Sequence, residues 1–262
     1  MMKRVCFSNI KGGVGKTTTC FNVAGVLAQA GYKVLCLDID PQGNFSDDLF
    51  GDDYPVGINE LILGKATLQQ VLSQPYPEHE YLRNIWAITA DVSLFYIEDN
   101  DPNFESEYVM KLNYLLKDIE NDFDYCLIDT NPSPSLLTNA MAYSYSDYII
   151  GVLDISKHSI KGFEYLKSII KDTQQIVNPN LQILGIIINN TDKRTNFSND
   201  IIKTINELYG DLVFSTNIST IVKIKEASVY SLPIVSYDAV GAARLQYTDL
   251  VGNIVNRINL KR

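Results

Sequence analysis

Cysteine and histidine are scarce in this sequence. Four cysteines, Cys6, Cys20, Cys36 and Cys126, stand far apart with no C-x-x-C pair, and the only histidines are His79 and His158. That spacing excludes a disulfide framework and a cysteine or histidine metal centre, and leaves four reduced thiols for the core. No run of about 18 apolar residues is present, which excludes a membrane-spanning helix. Between Met1-Met2-Lys3-Arg4 and Lys11 there is too little chain for the apolar region of a signal peptide. A soluble, cytosolic protein is therefore expected. Positive charge is short as well: 22 basic against 31 acidic residues give a net charge of −9. The molecule as a whole repels nucleic acid, so any DNA contact has to come from a local basic patch.

What is present is an ordinary globular composition, 46% hydrophobic and 20% charged over 262 residues, enough to bury one sizeable core. Short apolar runs alternate with longer segments of helical period. This pattern predicts a doubly wound α/β fold, a mostly parallel sheet flanked by helices, built as a single domain over residues 1–262. Strands are expected at residues 4–8, 33–37, 85–89, 124–128, 148–153, 181–188 and 212–214. Helices are expected at 16–30, 105–121, 135–145, 160–177, 197–209 and 241–258. Residues 47–80, rich in glycine, proline and acidic side chains, read as a surface excursion.

The run Lys11-Gly12-Gly13-Val14-Gly15-Lys16-Thr17-Thr18 lies between the first strand and the first helix. There backbone N–H groups can surround phosphates, and the helix N-terminus adds its dipole. Glycines allow close approach to the anion, Lys16 supplies charge to the β and γ phosphates, and Thr17 supplies a hydroxyl to Mg²⁺. ATP and Mg²⁺ are the expected cofactors. The general pattern G-x-x-x-x-G-K-[ST] is incomplete, because Ile10 stands where its first glycine belongs. The word present, K-G-G-x-G-K-T-T, resembles instead the deviant Walker A motif of the ParA and MinD branch of P-loop ATPases. The resemblance implies a homodimer formed with ATP, in which Lys11 crosses to the partner's nucleotide and acts there much as an arginine finger does.

Two carboxylate segments follow. In Asp38-Ile39-Asp40-Pro41-Gln42-Gly43-Asn44 the aspartates are two apart and point the same way for as long as the strand stays extended. The resemblance makes Asp40 the residue that orients or activates the attacking water, beside Thr17 and Asp129 on the metal side. Asp129 ends an apolar strand, the form of a Walker B segment. The family usually continues with two adjacent prolines, whereas here the chain reads Thr130-Asn131-Pro132-Ser133-Pro134. Residues 185–198 resemble the ParA segment with a D-x-R-T core, which makes Asn189 an adenine neighbour. Residues 218–228, ISTIVKIKEAS, resemble a further family loop in which Ser219 replaces a proline, and Thr220 and Lys223 replace arginines. The resemblance spans residues 3 to about 255.

The family implies non-specific DNA binding along the dimer edge, nucleoid association in the ATP state, and a ParB-like centromere-binding partner. The positions that match here are Arg194 and Lys223, which Lys193, Lys203 and Lys225 can join. A few phosphate contacts give weak, salt-sensitive, sequence-blind binding. No helix-turn-helix precedes the phosphate loop, which argues against operator reading. The rival is a MinD-like membrane switch, which needs an amphipathic tail. The stripe Tyr247, Leu250, Val251, Ile254, Val255 and Ile258 is expected to face the core, so membrane association is not expected. An iron-protein relative lacks suitably placed cysteines, and a small-molecule kinase or ligase of the same superfamily stays open.

Overall fold

The computed structural model describes residues 1–51, 55–99, 108–133, 137–192 and 194–261. Its apolar runs form six strands: β1 (Lys3–Ser8), β2 (Val34–Asp38), β3 (Ile85–Ile88), β4 (Tyr125–Asp129), β5 (Tyr148–Leu153) and β6 (Gln182–Ile188). They make one sheet in the order β3-β2-β4-β1-β5-β6, and every pairing is parallel. All residues of β2, β4 and β5 are buried, as expected of strands covered on both faces.

Alternation along each strand sends side chains to two separate apolar layers. Cys6, Leu35, Leu37, Cys126, Ile128 and Ile149 enter one, and Val5, Phe7, Cys36, Leu127 and Ile150 enter the other. The helices are α1 (Lys16–Gln29), α2 (Asn44–Phe50), α3 (Ile58–Ile62), α4 (Leu68–Val71), α5 (Phe95–Asp99) and α6 (Lys111–Leu115), then α7 (Leu137–Tyr145), α8 (Lys157–Ile176), α9 (Asn196–Tyr209), α10 (Val222–Val229), α11 (Ile234–Tyr237) and α12 (Ala242–Leu260). Helices α3 and α6 to α9 cover the first layer, and α1 and α10 to α12 cover the second. On α12 the expected stripe faces this core: Tyr247, Leu250, Val251, Ile254 and Ile258 are buried. Among the described residues no helix is long and apolar enough to cross a membrane.

Several expectations need correction. Residues 212–214 are not a strand. Gly210–Leu212 is a 3-10 turn, and Val213 makes one isolated parallel bridge to Ile186. The Phe214 N–H donates to the Ile186 carbonyl (2.9 Å), and the Arg257 guanidinium on α12 donates to the carbonyls of Leu184 (3.0 Å) and Leu212 (2.9 Å), which ties this segment to both β6 and α12. Within the described residues, the helix expected at 105–121 is α6 followed by a 3-10 turn at Lys117–Ile119, with Leu112, Leu116 and Ile119 buried. Residues 105–107 of that segment, and residues 135 and 136 of the next expected helix, lie outside the described residues. Helix α8 begins three residues early because the Ser156 hydroxyl caps it, accepting from the Ser159 N–H. Residues 47–80 are no mere excursion: Leu49, Ile58, Leu61, Ile62 and Val71 are buried, and the Ile58, Leu61, Ile62 spacing hides a core-facing turn among polar neighbours.

Candidate nucleotide site

The loop between β1 and α1 takes its shape from its glycines and from three braces. Gly13 and Gly15 have φ of 75° and 90°, backbone that side chains disfavour. Val14 between them is fully buried. From β5, Asn9 is fixed by donating to the Val152 carbonyl (2.8 Å), and its Oδ1 accepts the Lys11 N–H (3.0 Å). From the end of β6, Asn189 Nδ2 donates to the Val14 carbonyl (2.9 Å). A methyl group on Gly15 would fall 2.1 Å from that Nδ2, so only glycine admits the brace. Gly15 caps α1 without any side-chain acceptor, which leaves the first N–H groups of the helix for an anion.

The charged groups converge at the C-terminal ends of the strands. Lys16 is buried, with Nζ 3.5 Å from the Lys11 carbonyl. Burial pushes its ammonium below the ordinary lysine value, and Asp129 and Asp40 oppose that shift. Thr17 donates its hydroxyl to Asp129 Oδ2 at 2.6 Å. Burial raises the Asp129 carboxyl to about 7, against the pull of Thr17 and Lys16. Asp129 Oδ1 is buried without a hydrogen-bond partner. An unsatisfied carboxylate oxygen beside a threonine hydroxyl and a second carboxylate is an all-oxygen set that suits a hard divalent cation such as Mg²⁺.

Asp38 and Asp40 part at the end of β2. The Asp38 carboxylate accepts from Asp40 N–H (3.0 Å), Ser46 N–H (2.9 Å) and Ser46 Oγ (2.8 Å), so it fixes the turn into α2. The strand stops at Asp38, and the two carboxylates no longer share one direction. Asp40 lines the cavity over the phosphate loop, its Oδ1 accepting from Gln42 N–H (2.9 Å) and Asn131 Nδ2 (2.8 Å). Asn131 is a residue that the motifs did not single out as functional. Its only trace in the sequence is the departure from the paired prolines.

Two cavities flank the loop. One, of about 620 Å³, is lined by Gly12, Lys16, Thr17 and Asp40 among others. The second, about 330 Å³, is lined by Asn189, Asn190, Ser219 to Ile221, Ile224 and Tyr247. They share Gly13, Gly15, Thr18 and Lys225. A larger space of about 750 Å³ lies between residues 215–217 and α12, and no loop residue lines it. Lys11 is not at the cavities: its ammonium is ion-paired with Asp154 and donates to Ser156 Oγ (3.2 Å). Hydrogen bonds from Lys11 and Ser156 hold the Asp154 carboxyl below its usual range in spite of partial burial.

The basic residues fare differently. The segments that lead into Arg194 and Lys223 are neighbours, because Thr191 N–H donates to Ile218 O and Thr220 N–H to Thr191 O, both at 3.0 Å. Yet Arg194 forks onto Asp192, with Nε–Oδ1 and Nη2–Oδ2 both 2.9 Å, and Lys223 pairs with Asp238 at 3.0 Å. Lys203 is 3.8 Å from Glu207 on α9, and Lys193 lies outside the described residues. Lys225 does not extend the stripe. The segment read as a loop is α10, where residues two apart project to nearly opposite sides, so Lys225 leaves Lys223 and reaches the cavities.

Comparison with known proteins agrees with this geometry. An AAA domain family model matches residues 2–183. The chromosome-partitioning ATPase Soj of Treponema pallidum is 36% identical, with 98% of each chain covered. The chromosome partitioning protein ParA of Caulobacter vibrioides is 30% identical, covering 98% of this chain and 95% of its own. Among solved structures, cobyrinic acid a,c-diamide synthase from Mycobacterium smegmatis with bound ATP analog and magnesium superposes with a TM-score of 0.80 over the whole of this chain and 98% of that one. At 24% identity that likeness concerns the fold alone. The partition relatives match at higher identity along nearly the full length, through the phosphate loop and both carboxylate segments, and the chain belongs to the ParA and Soj family of P-loop ATPases.

Proposed function

We propose that this chain binds ATP with Mg²⁺, pairs with a second copy of itself, and hydrolyses ATP to segregate or position DNA with a ParB-like partner. It works in the cytoplasm and on the nucleoid when ATP-bound. The observation that carries the reading is the set of buried Lys16, half-buried Thr17 and buried Asp129 beneath a left-handed glycine loop. A buried lysine and an orphaned carboxylate oxygen, aimed at one anion-ready helix end, are costly unless a polyphosphate and a cation complete them. The names of the partition relatives support the DNA cargo.

In this reading the N–H groups of Gly13 to Thr18 surround the β-phosphate, and Lys16 neutralises charge on the β and γ phosphates. Thr17 and Asp129 would hold Mg²⁺, and the ion would supply positive charge to the transferred phosphoryl group. Asp40 is gripped at Oδ1 by Gln42 and Asn131, and its second oxygen orients water for in-line attack. Lys11 leaves Asp154 to cross into the partner's site. Sedimentation with ATP and with ADP, together with binding to random-sequence duplex, tests the whole. A dimer and duplex binding that require ATP are expected. Equal behaviour with both nucleotides would mean that the chain is not such a switch.

A further inference from the structure

Among the described residues, Lys225 is the one cation on the walls of both cavities that meet over the phosphate loop. It projects from α10, is exposed, and forms no ion pair among the described residues, whereas Lys223 on the same helix is tied to Asp238. The two cavities differ in charge. The first also contains Asp47 and Asp48 from α2, with the Asp48 carboxyl raised to about 6 by burial. Among the described residues, Lys225 is the only charged one that lines the second, beside asparagine, serine, threonine and apolar side chains. Its mostly uncharged walls, with Ile224 and Tyr247 among them, suit a nucleobase. The phosphate tail then lies in the first cavity over Lys16 and Thr17, and the link between base and tail passes the shared wall of Gly13, Gly15, Thr18 and Lys225.

We propose that Lys225 is a nucleotide-binding residue: its ammonium meets the α-phosphate of bound ADP or ATP where the two cavities join, and so ties α10 to the phosphate loop. This rests on the nucleotide reading above. Lys16 and a divalent cation are spent on the terminal phosphates and leave the α-phosphate oxygens without a counter-charge, Lys11 of the same chain is held by Asp154, and among the described residues Lys225 is the further cation that lines both cavities. The residue thereby belongs to the nucleotide and not to a DNA stripe.

Calorimetric titration of Mg-ADP and of a non-hydrolysable Mg-ATP analogue into wild type, Lys225→Ala, Lys225→Arg and Lys16→Ala tests this. Lys225→Ala is expected to weaken both nucleotides by the same factor, roughly tenfold. Lys225→Arg is expected to recover most of the loss. Random-duplex binding at saturating nucleotide is expected to stay as in wild type. An ADP affinity unchanged in Lys225→Ala, a loss confined to the ATP analogue, or a loss of duplex binding at saturating nucleotide overturns the assignment. If wild type binds and Lys16→Ala does not, the nucleotide reading stands whatever Lys225 does. If wild type itself binds neither nucleotide, both fall. Since Lys225 is exposed, circular dichroism of the variant is expected to match wild type, which keeps folding out of the comparison.

Discussion

The cleft at the C-terminal ends of β1, β2 and β4 and the edge beyond β6 both carry charged side chains that the sequence marks as functional, but they are built on opposite terms. In the cleft the charges are buried and incompletely satisfied: Asp129 retains an oxygen without a partner, and Lys16 is desolvated. At the edge the cations are exposed and already satisfied within the chain: Arg194 by the partly exposed Asp192, and Lys223 by Asp238, itself buried. A buried, under-satisfied group costs free energy until a ligand arrives, so its removal is felt strongly. An exposed ion pair contributes little to stability and gives up little when broken. The cleft is therefore committed to its ligand, while the edge is a surface whose charge is adjustable.

Lys16→Ala gives the largest expected effect. Without the buried ammonium, nucleotide affinity is expected to fall by at least a hundredfold, ~2.7 kcal/mol or more, as read by calorimetry. Affinity within threefold of wild type would place the cleft on the same footing as the edge and break the comparison. Asp40→Ala comes next. Turnover is expected to fall about a hundredfold with nucleotide affinity and ATP-dependent dimerisation intact, because the carboxylate is assigned to water. Phosphate release gives the first quantity and size-exclusion with ATP the second. A variant that lost binding would move Asp40 from the water to the nucleotide.

Asn131→Ala sharpens the picture inside the cleft. It deletes one of the two donors on Asp40 Oδ1 and leaves the Gln42 N–H in place. Turnover is expected to fall roughly tenfold, in line with the ~1.5 kcal/mol of one hydrogen bond to a charged acceptor. The KM for ATP is expected to hold, and Asn131→Asp is expected to be worse than alanine because it sets a second carboxylate against Asp40. Equal rates in all three proteins would reduce Asn131 to a loop residue.

These cases show what was legible in the chain. Lys16, Thr17 and Asp129 could be read because phosphate and metal chemistry fixes residue type at fixed distance from a strand end, and the apolar strands themselves announced where those ends lie. Asn131 could not, because its partner Asp40 lies 91 residues away and one amide carries no spacing signal. Nor could the partners of the basic residues. Asp238 is drawn to Lys223 only once α10 and α11 pack together. The short helix α10 buries only Ile224 and Ala227, too weak a period to show in the sequence, so Lys225 was grouped with Lys223 as if both stood on one loop. Residues 212–214 meet β6 at a single bridge and are tied to α12 by Arg257, far along the chain, contacts that no local pattern reveals.

The smallest expected effect concerns the edge, and its sign discriminates. If Arg194 contributes to duplex binding, it does so against the cost of leaving Asp192, whose carboxyl the Arg194 hydrogen bonds hold down at about 2. At neutral pH the pair therefore carries no net charge. Asp192→Asn keeps the shape of the loop, removes that neutralisation and adds one positive unit per copy. Random-duplex binding with ATP is expected to strengthen severalfold, and the dependence of log affinity on log salt is expected to steepen by about one unit per added phosphate contact. Arg194→Ala, by contrast, is expected to weaken binding only a few-fold, because the cation it removes was already compensated. Nucleotide affinity is expected to be unchanged in both variants, since neither residue lines a cavity at the loop. Binding to duplex at two salt concentrations, with ATP and with ADP, measures all of this. Asp192→Asn that binds no better than wild type would show that nucleic acid does not approach this edge, and the surface that carries the cargo would then have to lie elsewhere on the dimer.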